Sequence, residues 1–240
     1  MVLMAKRHEM RWGGLAGIGA VLFAVVGRIV MGSMPQLTNP AGVVSMYLAT
    51  HRAHIMWGTV LYAIAIALFL WFGAALSTAF RRADEDSDAP TVVLAGFIVI
   101  STIAFIAISV FAGMTYTMTE YRALLLFAPA PYATMTVMGT VAGIAIALTF
   151  AAIAVAIART HLFPMWMAWF AAIVAVVRLL AALTLGITRG PLVPGGWLET
   201  YVPGVLAALW VLTASGLLVQ EHLPALPRMR APHIAGPGRA

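Results

Sequence analysis

Residues 135–157, MTVMGTVAGIAIALTFAAIAVAI, carry no charged side chain and no strict alternation of polar and apolar positions. As a helix rising about 1.5 Å per residue, this stretch is long enough to cross the ~30 Å hydrocarbon core of a bilayer. Backbone amides find no water there, so a crossing segment must be a helix or part of a closed barrel. Barrel strands are shorter and alternate apolar with polar side chains, which this run does not do, so a helix is predicted.

Working outward, five other runs read in the same way: Trp12 to Met34, Ile55 to Leu76, Thr91 to Met114, Met165 to Leu185 and Tyr201 to Val219. The composition agrees. Of 240 residues, 62% are hydrophobic and 9% charged, and the mean hydropathy of +0.98 leaves too little polar surface to cover a water-soluble globule. The expected fold is an all-α membrane protein, a six-transmembrane-helix bundle with short outer interfacial helices. Its expected organisation is a cytoplasmic N-terminus over 1–11, a six-span domain over 12–219 and a disordered cytoplasmic tail over 220–240. The tail expectation rests on Pro224, Pro227, Pro232 and Pro237, which cannot continue a helix. The first run is long enough to span and lacks a small-residue cleavage pattern after Met10, so it reads as an uncleaved helix.

Orientation follows from basic residues. Lys6, Arg7, Arg11, Arg81, Arg82, Arg159, Arg228, Arg230 and Arg239 fall on one side, against Arg52, Arg122 and Arg189 on the other. Nine against three places both termini in the cytoplasm by the positive-inside rule. The net charge of +6 therefore reads as lipid-headgroup anchoring, with the bilayer as partner and no nucleic acid. The run Arg81 to Pro90, holding Asp84, Glu85, Asp86 and Asp88, reads as a solvated turn. Trp12, Trp57, Trp71, Trp166, Trp169, Trp197 and Trp210 read as a belt at the membrane interfaces.

The outer loops carry more structure. Asn39 can cap a helix whose first position suits Pro40, and Val43, Val44, Tyr47 and Leu48 then share a face of a short interfacial helix leading into the second span. Tyr116 to Ala133, with Leu124-Leu125-Leu126-Phe127 closed by Pro129 and Pro131, is too long for a simple turn and reads as an interfacial or re-entrant piece. Gly13-xxx-Gly17 and Gly139-xxx-Gly143 lack side chains that would hold neighbouring helices apart, which favours close packing within the bundle.

Charges inside apolar spans are costly, so Arg28 and Arg178 are the strongest functional pointers. Counted from Trp12 and Met165, they rise to comparable depths, about 20 to 24 Å from the cytoplasmic ends, and can face one cavity. No acid falls inside the expected spans, so their counter-charge is expected from Glu120, from Glu199, from backbone carbonyls or from a bound anion. Two readings stand: the arginines line an outward-opening pocket for an anionic or amphipathic molecule such as a lipid headgroup, or each snorkels and pairs for structure alone. His51 and His54, spaced i, i+3, can share a helical face and approach a divalent cation or the same ligand. A metal would need a third donor, so no metal site is assigned.

Other chemistries lack parts. Lys6, the sole lysine, precedes the first span, which leaves no buried Schiff base. Membrane-level histidines are too few for bis-histidine haem. Walker, His-Glu-xx-His and Gly-x-Ser-x-Gly motifs are absent, and with no cysteine there is no thiolate site. No cofactor and no enzymatic activity are expected. The leading reading is a lipid-binding protein or an accessory subunit of a membrane-protein complex; the alternative is a small transporter or channel for an anionic or amphipathic solute using an Arg28/Arg178 pocket.

The chain resembles a family of uncharacterised six-helix membrane proteins of actinobacteria, grouped under a domain of unknown function. The likeness is carried by Asn39-Pro40 through His51-Arg52, Leu70-Trp71-Phe72-Gly73, Arg159 through Trp169, Gly190-Pro191 through Gly195-Gly196, and Leu209-Trp210-Val-Leu. Relatives carry Leu-Pro-Arg-Trp where this chain has Phe163-Pro164-Met165-Trp166, so an interfacial positive charge is missing here, with Arg159 nearby as a substitute. The resemblance implies a plasma-membrane location and six spans, and supplies no activity or catalytic residue.

Overall fold

The computed structural model describes residues 2–121, 127–187 and 190–220. Seven α-helices occur among them: α1 (Val2–Met31), α2 (Ala41–Thr50), α3 (Arg52–Ala83), α4 (Ala89–Glu120), α5 (Pro129–Thr160), α6 (Met165–Leu183) and α7 (Trp197–Val219), with a 3-10 turn at Thr184–Gly186 after α6. All but α2 are long and apolar enough to cross a membrane. The protein is thus an all-α, multi-pass membrane bundle.

The helix ends follow from local chemistry. α1 stops at Met31, short of the expected Met34, because Gly32 takes a left-handed φ of +69° that only glycine adopts without steric cost. At its other end α1 begins at Val2, so the backbone turns helical well before residue 12. Asn39 does not cap α2: its Oδ1 accepts a hydrogen bond from Gln36 N at 2.6 Å, and Pro40 occupies the cap position with no side-chain bond. Val44, Tyr47 and Leu48 are buried, whereas Val43 is exposed, because it sits one position off the inward stripe. Pro129 and Pro131 open α5, in the first turn, where a missing N–H costs nothing. Of the expected interfacial piece over Tyr116 to Ala133, residues 116–120 instead continue α4 and 129–133 open α5, while 122–126 lie outside the described residues, as does the tail beyond Gln220. α7 starts at Trp197 rather than Tyr201, which brings Glu199 into the first turn of a span.

The six long helices close into a ring. α1 packs between α3 and α7, and α3–α4, α4–α5, α5–α6 and α6–α7 follow as neighbours, with α2 resting across the ends of α3, α4 and α5. Small residues set these approaches. A Cβ added at Gly13 would overlap Ala75, at Gly73 the Phe97 ring and at Gly96 Thr149, while one at Gly143 would press on Ala182. Gly139 differs: nothing lies within 4 Å of its added Cβ, so the second half of the expected glycine pair is the packing half.

Two apolar clusters fill the ends of the ring. One gathers Phe72, Phe80, Phe97, Phe150, Phe163 and Trp210 around the end where α5 turns into α6. The other gathers Met31, Tyr47, Leu48, Ile55, Phe111 and Tyr132 beneath α2. Trp210 is therefore a core residue, fully buried with its Nε1 donating to Met167 O at 3.1 Å, because its ring faces inward from α7 and meets Phe150 edge-on at 5.3 Å. The other six tryptophans are exposed. Arg159 Nε meets Asp84 Oδ2 at 3.2 Å, so the acidic run between α3 and α4 is tied to the end of α5 rather than wholly solvated.

Gly96→Leu is expected to destabilise the protein by about 1–3 kcal/mol through overpacking, whereas Gly139→Ala should be neutral or slightly stabilising from reduced backbone freedom. Thermal unfolding of both variants in mild detergent checks this, and equal behaviour would contradict the packing described.

Candidate functional site

Between the two packed ends the ring is hollow. A cavity of about 600 Å³ is bordered by residues from all six long helices, within the size range of small-molecule sites. Its walls are mainly apolar, with Val21, Ile66, Phe69, Phe150 and Val211 among them, but Arg28, Arg178, Tyr62, Thr200 and Tyr201 also line it. Arg28 and Tyr201 lie toward the α2 end of α1 and α7, and Arg178 lies toward the same end of α6, so the polar groups gather at one end. The sequence expectation that both arginines face one cavity therefore agrees with where the helices place them.

The two guanidiniums are held differently. Arg28 donates to Gly32 O, closing the turn that ends α1, and through Nη2 to the Tyr201 hydroxyl at 2.5 Å, with Cζ 5.6 Å from the centre of the Tyr201 ring. These contacts join α1 to α7. Arg178 Nε is buried and has no hydrogen-bond partner among the described residues, a costly state for a charged donor. Its Nη2 lies 3.9 Å from where a Cβ on Gly204 would stand, and nothing else crowds that point, so open space lies beside the guanidinium. Glu199 acts on Arg178 through charge, while its own Oε2 accepts bonds from Gly195 N and Thr200 Oγ1, each at 3.1 Å.

Glu120, expected as a partner for the arginines of the spans, instead faces Arg52 at 3.8 Å. α4 ends beside the start of α3, and Arg52 there also lies over the Tyr116 ring, 5.0 Å from its centre. That pair is solvent-exposed and contributes little. His51 sits between α2 and α3, its ring stacked on Tyr47 at 4.9 Å and its Nδ1 2.8 Å from Thr50 Oγ1. His54 is tilted 6.0 Å away. Neither histidine borders the cavity, and the described residues contain no cluster of three metal-capable side chains.

Three features of the site escape a reading of charges alone. Tyr201 is the partner of Arg28. Ser101 on α4 is buried, lines the cavity and leaves its Oγ without a partner among the described residues; a lone serine whose near neighbours are apolar was the available signal, whereas the adjacent Thr102 satisfies itself on Ile98 O. Gly204 supplies the space next to Arg178.

The α2 end is fastened by two phenols. Tyr47 donates to Met31 O at 2.7 Å and Tyr132 to Pro35 O at 2.6 Å, pinning the chain that follows α1. Burial pushes the Tyr47 phenol up to about 12, with nearby Arg28 pulling it back in part.

Comparison with protein-family models, with curated proteins and with solved structures finds no match to this chain.

A raised phenol favours the protonated fold. An unfolded Tyr47 releases its proton near 10 and the folded one near 12, so this contribution is complete below pH 10 and is lost as pH rises through 12. Tyr47→Phe should remove that part of the alkaline slope while costing about 1 kcal/mol at neutral pH through the lost bond to Met31. Circular dichroism against pH in detergent reads both effects, and an unchanged alkaline slope would contradict the assignment.

Proposed function

We propose that the protein is a multi-pass plasma-membrane protein, with both termini cytoplasmic, that binds an amphipathic anion of lipid-like chemistry in its central cavity and performs no chemical step on it. The observation that carries this reading is the pair of guanidiniums at one end of an otherwise apolar cavity. An apolar molecule would leave the charges unanswered, and a small hydrophilic anion would leave the long apolar wall wet; an amphipathic anion answers both. The excess of Lys and Arg on one set of loops supports the orientation.

A transport pathway is the second reading. Pro203 stands inside α7 beside the cavity and lacks the N–H that would bond to Glu199 O, a local interruption of the kind transporters use near their sites. Solute flux into vesicles containing the purified protein separates transport from simple binding.

Lipid mass spectrometry of protein purified in mild detergent should find an anionic amphiphile enriched over the bulk membrane at near-stoichiometric ratio. It should fall at least about tenfold in an Arg28→Ala/Arg178→Ala double variant, the loss expected for charge-assisted bonds. Bulk-like lipid composition in both proteins would sink the proposal. Reporter tags fused separately to the two ends should both read the cytoplasmic face, and opposite faces would overturn the six-span orientation.

A further inference from the structure

We infer that the two arginines have separate tasks: Arg178 holds the head of a singly charged amphiphile, and Arg28 is a structural latch between α1 and α7. This deepens the binding reading above and rests on it. The division comes from what each guanidinium already touches. Arg28 is engaged on two sides, by the Gly32 carbonyl and by the Tyr201 hydroxyl. A guanidinium placed in this way commits a donor from each Nη to joining α1 to α7 at the α2 end. Arg178 lines the same cavity with a buried Nε that no described residue satisfies, and Gly204, which also lines the cavity, sets no side chain against its Nη2, so an oxyanion can approach the guanidinium from the cavity. A planar fork of donors suits a carboxylate or a phosphodiester, whose two oxygens it can engage together.

Charge balance sets the head group. Arg28 and Arg178 are opposed by one carboxylate, Glu199, which lies within electrostatic reach of Arg178 and is held by Gly195 N and Thr200 Oγ1. One positive charge is left uncompensated. A monoanion neutralises it, whereas a phosphomonoester carrying about −1.5 to −2 charges near pH 7 leaves excess negative charge against low-dielectric walls. The cavity wall on α7 runs from Thr200 to Val211, about 16 Å at the helical rise, which gives a hydrocarbon tail an apolar bed past Ile66, Phe69 and Phe150.

The test uses the full chain in detergent and four single-chain probes of one tail length: oleate, an oleoyl lysophosphatidylglycerol, oleyl phosphate and oleyl alcohol. Native mass spectrometry and thermal shift at fixed mole fraction read binding. Oleate or the lysolipid should bind one to one and at least about tenfold more tightly than the alcohol or the phosphate, and whichever of the two binds better identifies the source as a free carboxylate or a phosphodiester lipid. Arg178→Gln should weaken that probe about tenfold or more without lowering the unfolding temperature of the probe-free protein. Arg28→Lys, which keeps the charge but loses the fork that spans Gly32 O and the Tyr201 hydroxyl, should do the reverse, lowering that temperature and leaving affinity within about threefold. If Arg178→Gln fails to fold, Gly204→Leu, which fills the space beside the guanidinium, should produce the same loss. Tightest binding of the phosphate, or loss of affinity in Arg28→Lys with retention in Arg178→Gln, overturns the division of tasks while the cavity reading survives. Failure of every probe to bind the unmodified protein overturns both.

Discussion

Hydrocarbon offers a polar group no partner, and this single constraint runs through the whole molecule. It makes each crossing segment a helix, since a helix satisfies its amides from within. It also strips the hydrophobic effect from helix association, because lipid tails are as apolar as leucine, and leaves close packing to hold the ring together. Glycines at the crossings answer that requirement: Gly13 against Ala75, Gly73 against Phe97 and Gly96 against Thr149. The same constraint makes a guanidinium in a span an obligation, met for Arg28 by Tyr201 and Gly32 and left open for Arg178.

Packing is uneven along the ring axis. Phenylalanines and Trp210 fill one end, and Tyr47, Tyr132 and their neighbours fill the other. Between them many of the residues that line the cavity from α1 and α4 are small, with Ala20, Ala24, Ser101, Ala104 and Ala107 along the wall beside Ile100 and Ile108. A bundle optimised only for density would place large side chains here. The middle is hollow because small residues line it, and polar because two arginines, two tyrosines and a threonine converge on one end of it.

Much of this was legible in the sequence, for reasons that can be located. The spans were readable because charge is absent from them over lengths that only a membrane helix needs. The common depth of Arg28 and Arg178 followed from helical rise alone. Pairing was legible only in part, because it depends on which loop ends meet: Glu199, one of the expected counter-charges, does lie near Arg178 since α7 starts four residues earlier than its hydropathy suggested, whereas Glu120 goes to Arg52 since α4 finishes where α3 begins. Trp210 was read as an interface residue, whereas it faces the bundle interior and bonds to Met167 in the first turn of α6, because the direction a tryptophan takes from a uniformly apolar helix is not set by hydropathy. The left-handed turn at Gly32 and the diversion of Asn39 to Gln36 are local choices that composition cannot separate from their alternatives.

The lengths of α3, α4 and α5 have a mechanical meaning. Each has 32 residues, about 48 Å of continuous helix against ~30 Å of hydrocarbon. A thicker or thinner leaflet therefore meets the same rod at a different height, without uncovering an unpaired amide at a frayed end or dragging a loop into oil. The margin differs between spans: on α3, α4 and α5 the water boundary can slide along spare turns at either extremity, whereas α6, with 19 residues, has no turn to spare and fixes the depth at which Arg178 sits.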